Sequence, residues 1–404
     1  MRNFFLGVLA FWREVFLLIL IVFPLTAYTQ SASWAVPEIN SLSAVIMDAE
    51  TGTIVYSKNP DMEIPPASMT KLMTMHIAFK EIYAGNASLN EIIEPGQESW
   101  ARNQLPGSSL MYLAPGQRLT LRELFLGLAI FSGNDAAAAV ALRFAPTVDA
   151  FIDMMNMEAR AMGLTRTSFA DASGYSENNM TTAREFAEFT RQYLEANPQS
   201  LGEFHSVSEF AYPLAVHVGE AYRDNPGTRV QRNRNTLLGR VEGVDGLKTG
   251  SIPAAGFNIA LTAERNGTRF IAVTMGAETD RERDEDGEAL LNWAFNTYKT
   301  IRLYPDDIEP ERIWMGKENY VNLAYNGTMV FTSLAMRGEN MTGDIVLTTP
   351  FIAPLPAGTH VGNLIVYDNL GELRTIPIIT VSDIERGGFW KRLFDRIRLF
   401  FAGY

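Results

Sequence analysis

The sequence predicts an α+β protein: an antiparallel sheet assembled from both ends of a large first domain around an inserted helical lobe, then a small all-β domain and a C-terminal amphipathic helix. Three observations predict it. Alternating apolar positions occur near the start of the mature chain and return only at Val244, with helical spacing filling the interval. Beyond the segment "YPDDIEPE", short strand patterns alternate with Gly, Asn and Pro turns and no long helical period follows. The last eighteen residues then carry aromatic and basic side chains at helical spacing.

The elements follow in order. Arg2 and Arg13 precede the apolar run from Val15 to Ala27, and small residues come next, which is the order of a secretory signal over residues 1–35. That run is short for a membrane span and Pro24 interrupts it, so an uncleaved anchor is the weaker reading. Cleavage after Ser33 or Ala35 fits equally well. "LSAVIMDAETGTIVYSKN" reads as two strands around a turn at Glu50 to Gly52. Residues 68–83, 120–131, 134–145, 149–162 and 182–195 carry helical spacing, and Thr120 with Glu123 forms a capping box. "VDGLKTG", "GFNIALTAE" and "RFIAVTMGA" restore the strands, and a helix from Glu282 to Thr300 closes the first domain over 36–300. The β domain is expected over 305–384 and the terminal helix over 387–404.

Composition narrows the function. At 404 residues, nearly half of them apolar, the chain can bury the cores of two domains. A formal net charge of -12 argues against nucleic acid as a partner. The absence of cysteine excludes thiolate chemistry, Fe–S clusters and disulfides, and leaves the compartment to be read from the N-terminus.

A serine hydroxyl needs a neighbouring base to become a nucleophile near neutral pH. His76, His205, His217 and His360 sit in no nucleophile-elbow pattern, and no H-E-x-x-H offers zinc, so neither a histidine triad nor a metal is expected. Ser68 and Lys71 in "SMTK" offer another route, because positions three apart share a helix face. The lysine must be neutral to serve as base. Bringing its pKa from roughly 10.4 to roughly 7.5 takes about 4 kcal/mol, which a second cation about 4 Å away supplies at an effective dielectric of about 20. Alone, S-x-x-K is weak, since a serine at a helix start is ordinarily its cap. Two more stretches accompany it: "FSGNDAA", with Ser132 and Asn134 between two helices, and "VDGLKTGS", with Lys248, Thr249, Gly250 and Ser251 at a strand end.

Read together as "SMTK", "SGN" and "KTG", these motifs resemble the penicillin-binding proteins and serine β-lactamases. With "FADASGY", "TTARE" and "NRNTLLGRVEGVDGLKTG", and with the β domain and terminal helix, the chain looks like the low-molecular-mass D-alanyl-D-alanine carboxypeptidases of the bacterial periplasm. The resemblance implies the penicillin-binding transpeptidase fold, no cofactor, a peptidoglycan stem peptide as substrate, and β-lactams as acylating inhibitors. It assigns Ser68 as nucleophile, Lys71 as general base, Ser132 as proton relay, and Asn134 to the substrate amide. Lys248 would supply the field that keeps Lys71 neutral, and Thr249, in the Lys248–Gly250 triplet, would contact the terminal carboxylate. The amides of Ser68 and Ser251 would form the oxyanion hole. Arg283 would assist the carboxylate, with Arg281 contesting that place.

Two departures stand out: Ser251 where many relatives carry histidine, and Tyr175 where leucine is usual, the second read as a packing change. A class A β-lactamase would need a loop glutamate in an E-x-x-x-N pattern, and residues 160–180 contain none. Two rivals remain beside it: a peptidoglycan endopeptidase, and a membrane-tethered cell-wall binding module without turnover.

In the tail, Phe389, Trp390, Leu393, Phe394, Ile397, Phe400 and Phe401 gather in an arc of roughly 140° at about 100° per residue. Lys391, Arg392, Asp395, Arg396 and Arg398 lie outside it. This describes a helix lying on a membrane surface, with about 3 kcal/mol of attraction to anionic lipid from the net charge. The competing expectation is a helix that packs its apolar stripe on the protein's own surface.

Overall fold

A computed structural model describes residues 35–403, so the expected secretory signal lies, except for Ala35, outside the described residues. Five strands form the central antiparallel sheet: β1 (Ser43–Asp48), β2 (Ile54–Lys58), β3 (Val244–Ile252), β4 (Gly256–Arg265) and β5 (Thr268–Ala277). Their order is β2-β1-β5-β4-β3, so the two ends of the domain meet where β1 pairs with β5, Val45 opposite Val273. Every residue of β1 is buried, because both faces of the sheet are covered. Successive side chains divide between them: Val45 and Met47 join the helical lobe, whereas Ala44 and Ile46 join the core under the last catalytic-domain helix.

Among the described residues, six α-helices belong to this domain: α1 (Lys71–Tyr83), α2 (Leu121–Leu126), α3 (Asn134–Phe144), α4 (Val148–Ala161), α5 (Ala183–Ala196) and α6 (Asp280–Thr297). Their starts follow the sequence signals. Thr120 and Glu123 form the expected capping box, and Thr147, Thr182 and Thr279 each accept a backbone N–H from the first turn they precede. A wide turn over Gly127–Phe131 continues α2 and delivers the chain to Ser132.

Two expectations are corrected. Ser68 is not a helix cap: a 3₁₀ turn over Ala67–Thr70 precedes α1, and no side chain caps either element. The last catalytic-domain helix does not reach Thr300. It stops at Thr297, and β6 (Tyr298–Arg302) pairs with β9 (Val330–Leu334) of the β domain. Tyr, Thr and Ile in that stretch favour a pleated, half-buried surface, and the partner strand supplies one.

The β domain contains β7 (Glu311–Trp314), β8 (Leu323–Tyr325), β10 (Thr342–Leu347), β11 (His360–Asp368) and β12 (Gly371–Thr380), with a sheet in the order β8-β12-β11-β10. Ile313, Val321, Phe351, Leu364, Ile376 and Ile378 are its core. It is held to the catalytic domain at buried Asp48, whose Oδ2 accepts from the hydroxyls of Thr300 at 2.9 Å and Thr332 at 2.7 Å. Glu50 and Arg302 pair beside this joint.

Helix α7 (Phe389–Phe401) docks against the β domain by an unexpected face. Asp395, placed on the solvent side by the periodicity argument, is buried and accepts the Met315 N–H at 2.8 Å. Lys391 reaches Asn319 at 2.6 Å, and Leu399 is buried along the same seam. The apolar arc points outward instead, with Phe389, Trp390, Phe394, Phe400 and Phe401 all more than half exposed.

Candidate active site

The 3₁₀ turn that carries Ser68 is gripped between two backbones. From one side comes Gly250 of β3, where an added Cβ would lie 2.5 Å from the Pro66 carbonyl and 3.0 Å from the Ser68 amide nitrogen. From the other comes Gly174, at φ +82°, where a Cβ would lie only 1.8 Å from the Ala67 carbonyl oxygen. Only glycine permits both approaches.

Lys71 begins α1, fully buried beneath this turn. Its Nζ lies 3.0 Å from Ser68 Oγ, 2.8 Å from Asn134 Oδ1 and 2.6 Å from the Ser173 carbonyl. Asn134 is oriented by its own amide nitrogen, which donates to Ser108 Oγ at 3.1 Å. The Ser173 carbonyl is fixed by Asp171, whose carboxylate accepts the amides of Ser173, Gly174 and Ser176, each at 2.6 Å. Thr74 ties the same loop to α1 by donating to the Ala172 carbonyl at 2.6 Å.

Burial pushes the Lys71 ammonium down from its ordinary value to about 7. Asp171 and Asp135 oppose the shift, while Arg234 adds to it. Desolvation leads, and Arg234 is the first cation to add to it. The two buried lysines repel each other: burial, then Lys71, Arg234 and Arg283, hold Lys248 well below its usual value.

Ser132 occupies a left-handed conformation, φ +58°, between the wide turn and α3, with its side chain buried. Non-glycine residues rarely adopt it, and such strain gathers at functional positions. The turn is braced by Asp135, fully buried, which accepts the amides of Met111 at 2.8 Å and Leu113 at 3.0 Å. Burial raises the Asp135 carboxyl against the pull of these bonds.

Ser68, Asn134 and Ser251 line one groove of about 820 Å³, in the range of small-molecule sites. Lys248, behind it, donates to the Thr249 carbonyl at 2.9 Å. Arg283 is buried and clasped by Asp284 at 2.7 Å, whereas Arg281 is 81% exposed and pairs with Glu285 on the surface. Tyr175 is more than a packing change: its hydroxyl crosses the groove wall and donates to the Pro106 carbonyl at 3.0 Å.

Sequence reasoning missed Ser173, which acts through its carbonyl, and Arg234. The flanking Asn233 and Asn235 anchor that segment to the carbonyls of His205 and Gly246, each at 3.1 Å, and leave the Arg234 guanidinium without a hydrogen bond or ion pair among the described residues. Three histidines are engaged elsewhere, His76 with Glu158, His205 with Tyr193 and His217 with Glu123.

Comparison with known proteins agrees with this geometry. Residues 29–279 match the model of the D-alanyl-D-alanine carboxypeptidase family, and residues 298–386 match the C-terminal domain of penicillin-binding protein 5, which begins where β6 begins. D-alanyl-D-alanine carboxypeptidase DacC of Escherichia coli (strain K12) is 31% identical over 389 residues, 95% of this chain and 94% of that protein. Penicillin binding protein 5 from Haemophilus influenzae superposes with a TM-score of 0.72 at 27% identity, covering 87% of this chain and 99% of that one. Penicillin-binding protein D2 from Listeria monocytogenes, solved with ampicillin bound, gives 0.55 at 26% identity over 64% of this chain and 100% of that one. A serine touching a buried lysine, the S-x-N and K-T-G residues around them, and matches along nearly the whole chain therefore have one reading: the protein belongs to the peptidase S11 family of serine D-alanyl-D-alanine carboxypeptidases.

Proposed function

We propose that this chain removes the terminal D-alanine from peptidoglycan stem pentapeptides through an acyl-enzyme on Ser68, with Lys71 as its base. The observation that carries the reading is the set of three partners around Lys71 Nζ. Asn134 Oδ1 and the Ser173 carbonyl are acceptors, and they use the two N–H groups of a neutral amine. The lone pair is left to face Ser68 Oγ and take its proton as the hydroxyl oxygen attacks the scissile carbonyl. The amides of Ser68 and Ser251 hold the oxyanion, and the proton passes by way of Ser132 to the departing amine. Water then hydrolyses the ester. Asn134 holds the substrate amide, and Thr249, Lys248, Arg283 and Arg234 provide the positive end for the terminal carboxylate.

The groove is in the periplasm in this reading, after export directed by residues 1–35, and α7 holds the molecule on the membrane. The outward stripe supports the anchor, because the helix docks by Asp395 and Leu399 rather than by its aromatic residues. Deleting residues 387–404 releases the protein to the soluble fraction with its peptidase activity intact; continued membrane association would refute the anchor.

The chemical test is intact mass after benzylpenicillin, wild type against Ser68→Ala, together with D-alanine release from a pentapeptide. A penicilloyl adduct on wild type alone, with D-alanine released, is expected. Rapid penicillin turnover without D-alanine release would make the protein a β-lactamase.

A further inference from the structure

We infer that the start of α7 and the β domain beneath it form a cradle for the headgroup phosphate of a membrane phospholipid, an inference that rests on the membrane reading above. A hollow of about 360 Å³ opens at this junction, and Arg386, Arg392 and Arg396 line it together with Met315, Phe389 and Leu393. None of the three guanidinium groups makes a hydrogen bond or ion pair among the described residues. Neighbouring carboxylates are already engaged: Glu385 by Lys317, and Asp395 by the Met315 amide and Lys391.

Three like charges around one hollow repel each other unless an anion sits between them, and arginine forks match phosphate oxygens in pairs. Phe389 is the first residue of α7, and no side chain caps the helix there, so its first N–H groups add to the positive field. The chemistry of the other wall completes the specification. Phe389 and Leu393 run directly into the exposed aromatic stripe, so the occupant is anionic at one end and apolar at the other. An anionic phospholipid has this character. On the helix, Arg392 and Arg396 stand one turn apart on the rim between the docked seam and the stripe, whereas Arg398 stands on the opposite rim.

That asymmetry supplies the control. The full chain is titrated with vesicles of phosphatidylcholine, with and without phosphatidylglycerol, and bound protein is measured by flotation at fixed salt. Arg398→Ala removes one surface charge and weakens binding to the phosphatidylglycerol vesicles about fivefold. Arg392→Ala and Arg396→Ala each weaken it about 25-fold, losing the fork as well as the charge. The double variant Arg392→Lys with Arg396→Lys keeps the charge and still loses about fivefold. Lysine replacements that bind like wild type, with alanine variants no weaker than Arg398→Ala, would mean diffuse attraction and overturn the cradle. Wild-type protein that binds neither vesicle would remove the membrane reading itself.

Discussion

At the scale of single residues the decisive quantity is the protonation of Lys71. A base with a pKa of about 7 is largely neutral at pH 8 and largely charged at pH 6, so acylation by a β-lactam falls about tenfold per unit below pH 7. A rate that stays flat to pH 5 would remove Lys71 from the role. Arg234 offers a second test, because its charge lowers the Lys71 value across the site. Arg234→Ala is expected to move the acidic limb upward by on the order of half a unit and, if the proposed carboxylate contact holds, to raise KM for the peptide. An unmoved limb would confine Arg234 to substrate binding. Ser68, Lys71, Ser132, Asn134 and Lys248 were legible in the sequence because each sits in a motif of fixed short spacing. Ser173 and Arg234 were not. One works through a backbone carbonyl that any residue carries, and the other through a field that leaves no mark on spacing. Arg234 stands in a quoted stretch, but only the anchoring of Asn233 and Asn235 reveals that its guanidinium is left over.

Among the elements, the 3₁₀ turn of Ala67–Thr70 depends on two neighbours that touch it through glycine. Gly250→Ala puts a methyl group against the Pro66 carbonyl and the Ser68 amide, both backbone atoms that cannot swing away. Overpacking of this kind costs about 1–3 kcal/mol, and displacing the nucleophile by about 1 Å costs about 100-fold in acylation. Gly202→Ala, where no atom lies within 4 Å of the added carbon, serves as the comparison and leaves both unchanged. Thermal melts and penicillin acylation rates check the pair; equal behaviour of the two variants would mean that β3 does not set the position of Ser68. Most elements were legible from periodicity and caps, as α2 and α5 show: the expected capping box starts α2, and α5 fills the stretch of helical spacing read over 182–195. Reading failed where the reason lay in a distant partner. Residues 298–300 were read as the end of the last catalytic-domain helix, and only pairing with β9 turns Tyr298–Arg302 into strand. Tyr175 looked like filler until its hydroxyl met the Pro106 carbonyl across the groove.

For the whole molecule, what matters is that the active-site domain and α7 are joined by fixed connections. Asp48, at the end of β1, binds the hydroxyls of Thr300 and Thr332, so the sheet beside the active site and the first strand pair of the β domain share one carboxylate. At the far end Asp395 binds the Met315 amide next to β7, and α7 is held at a set angle with its aromatic face outward. A helix tethered only by Gly387 and Gly388 would not need a buried carboxylate in its middle; an acid there costs free energy unless it is hydrogen-bonded, and here it is. Asp395→Ala leaves the Met315 N–H without its partner and frees the helix, at an expected cost of about 1–3 kcal/mol. Because the aromatic stripe is untouched, the variant still floats with vesicles, less tightly where the arginine hollow loses its β-domain wall, and still cleaves soluble peptide at the wild-type rate. The change is in hydrogen exchange: amides of residues 389–401, protected in solution by docking, exchange at the rate of a frayed helix. Unaltered protection in the variant would mean that Leu399 and Lys391 suffice, and that the acid does not set the angle of α7 against the β domain.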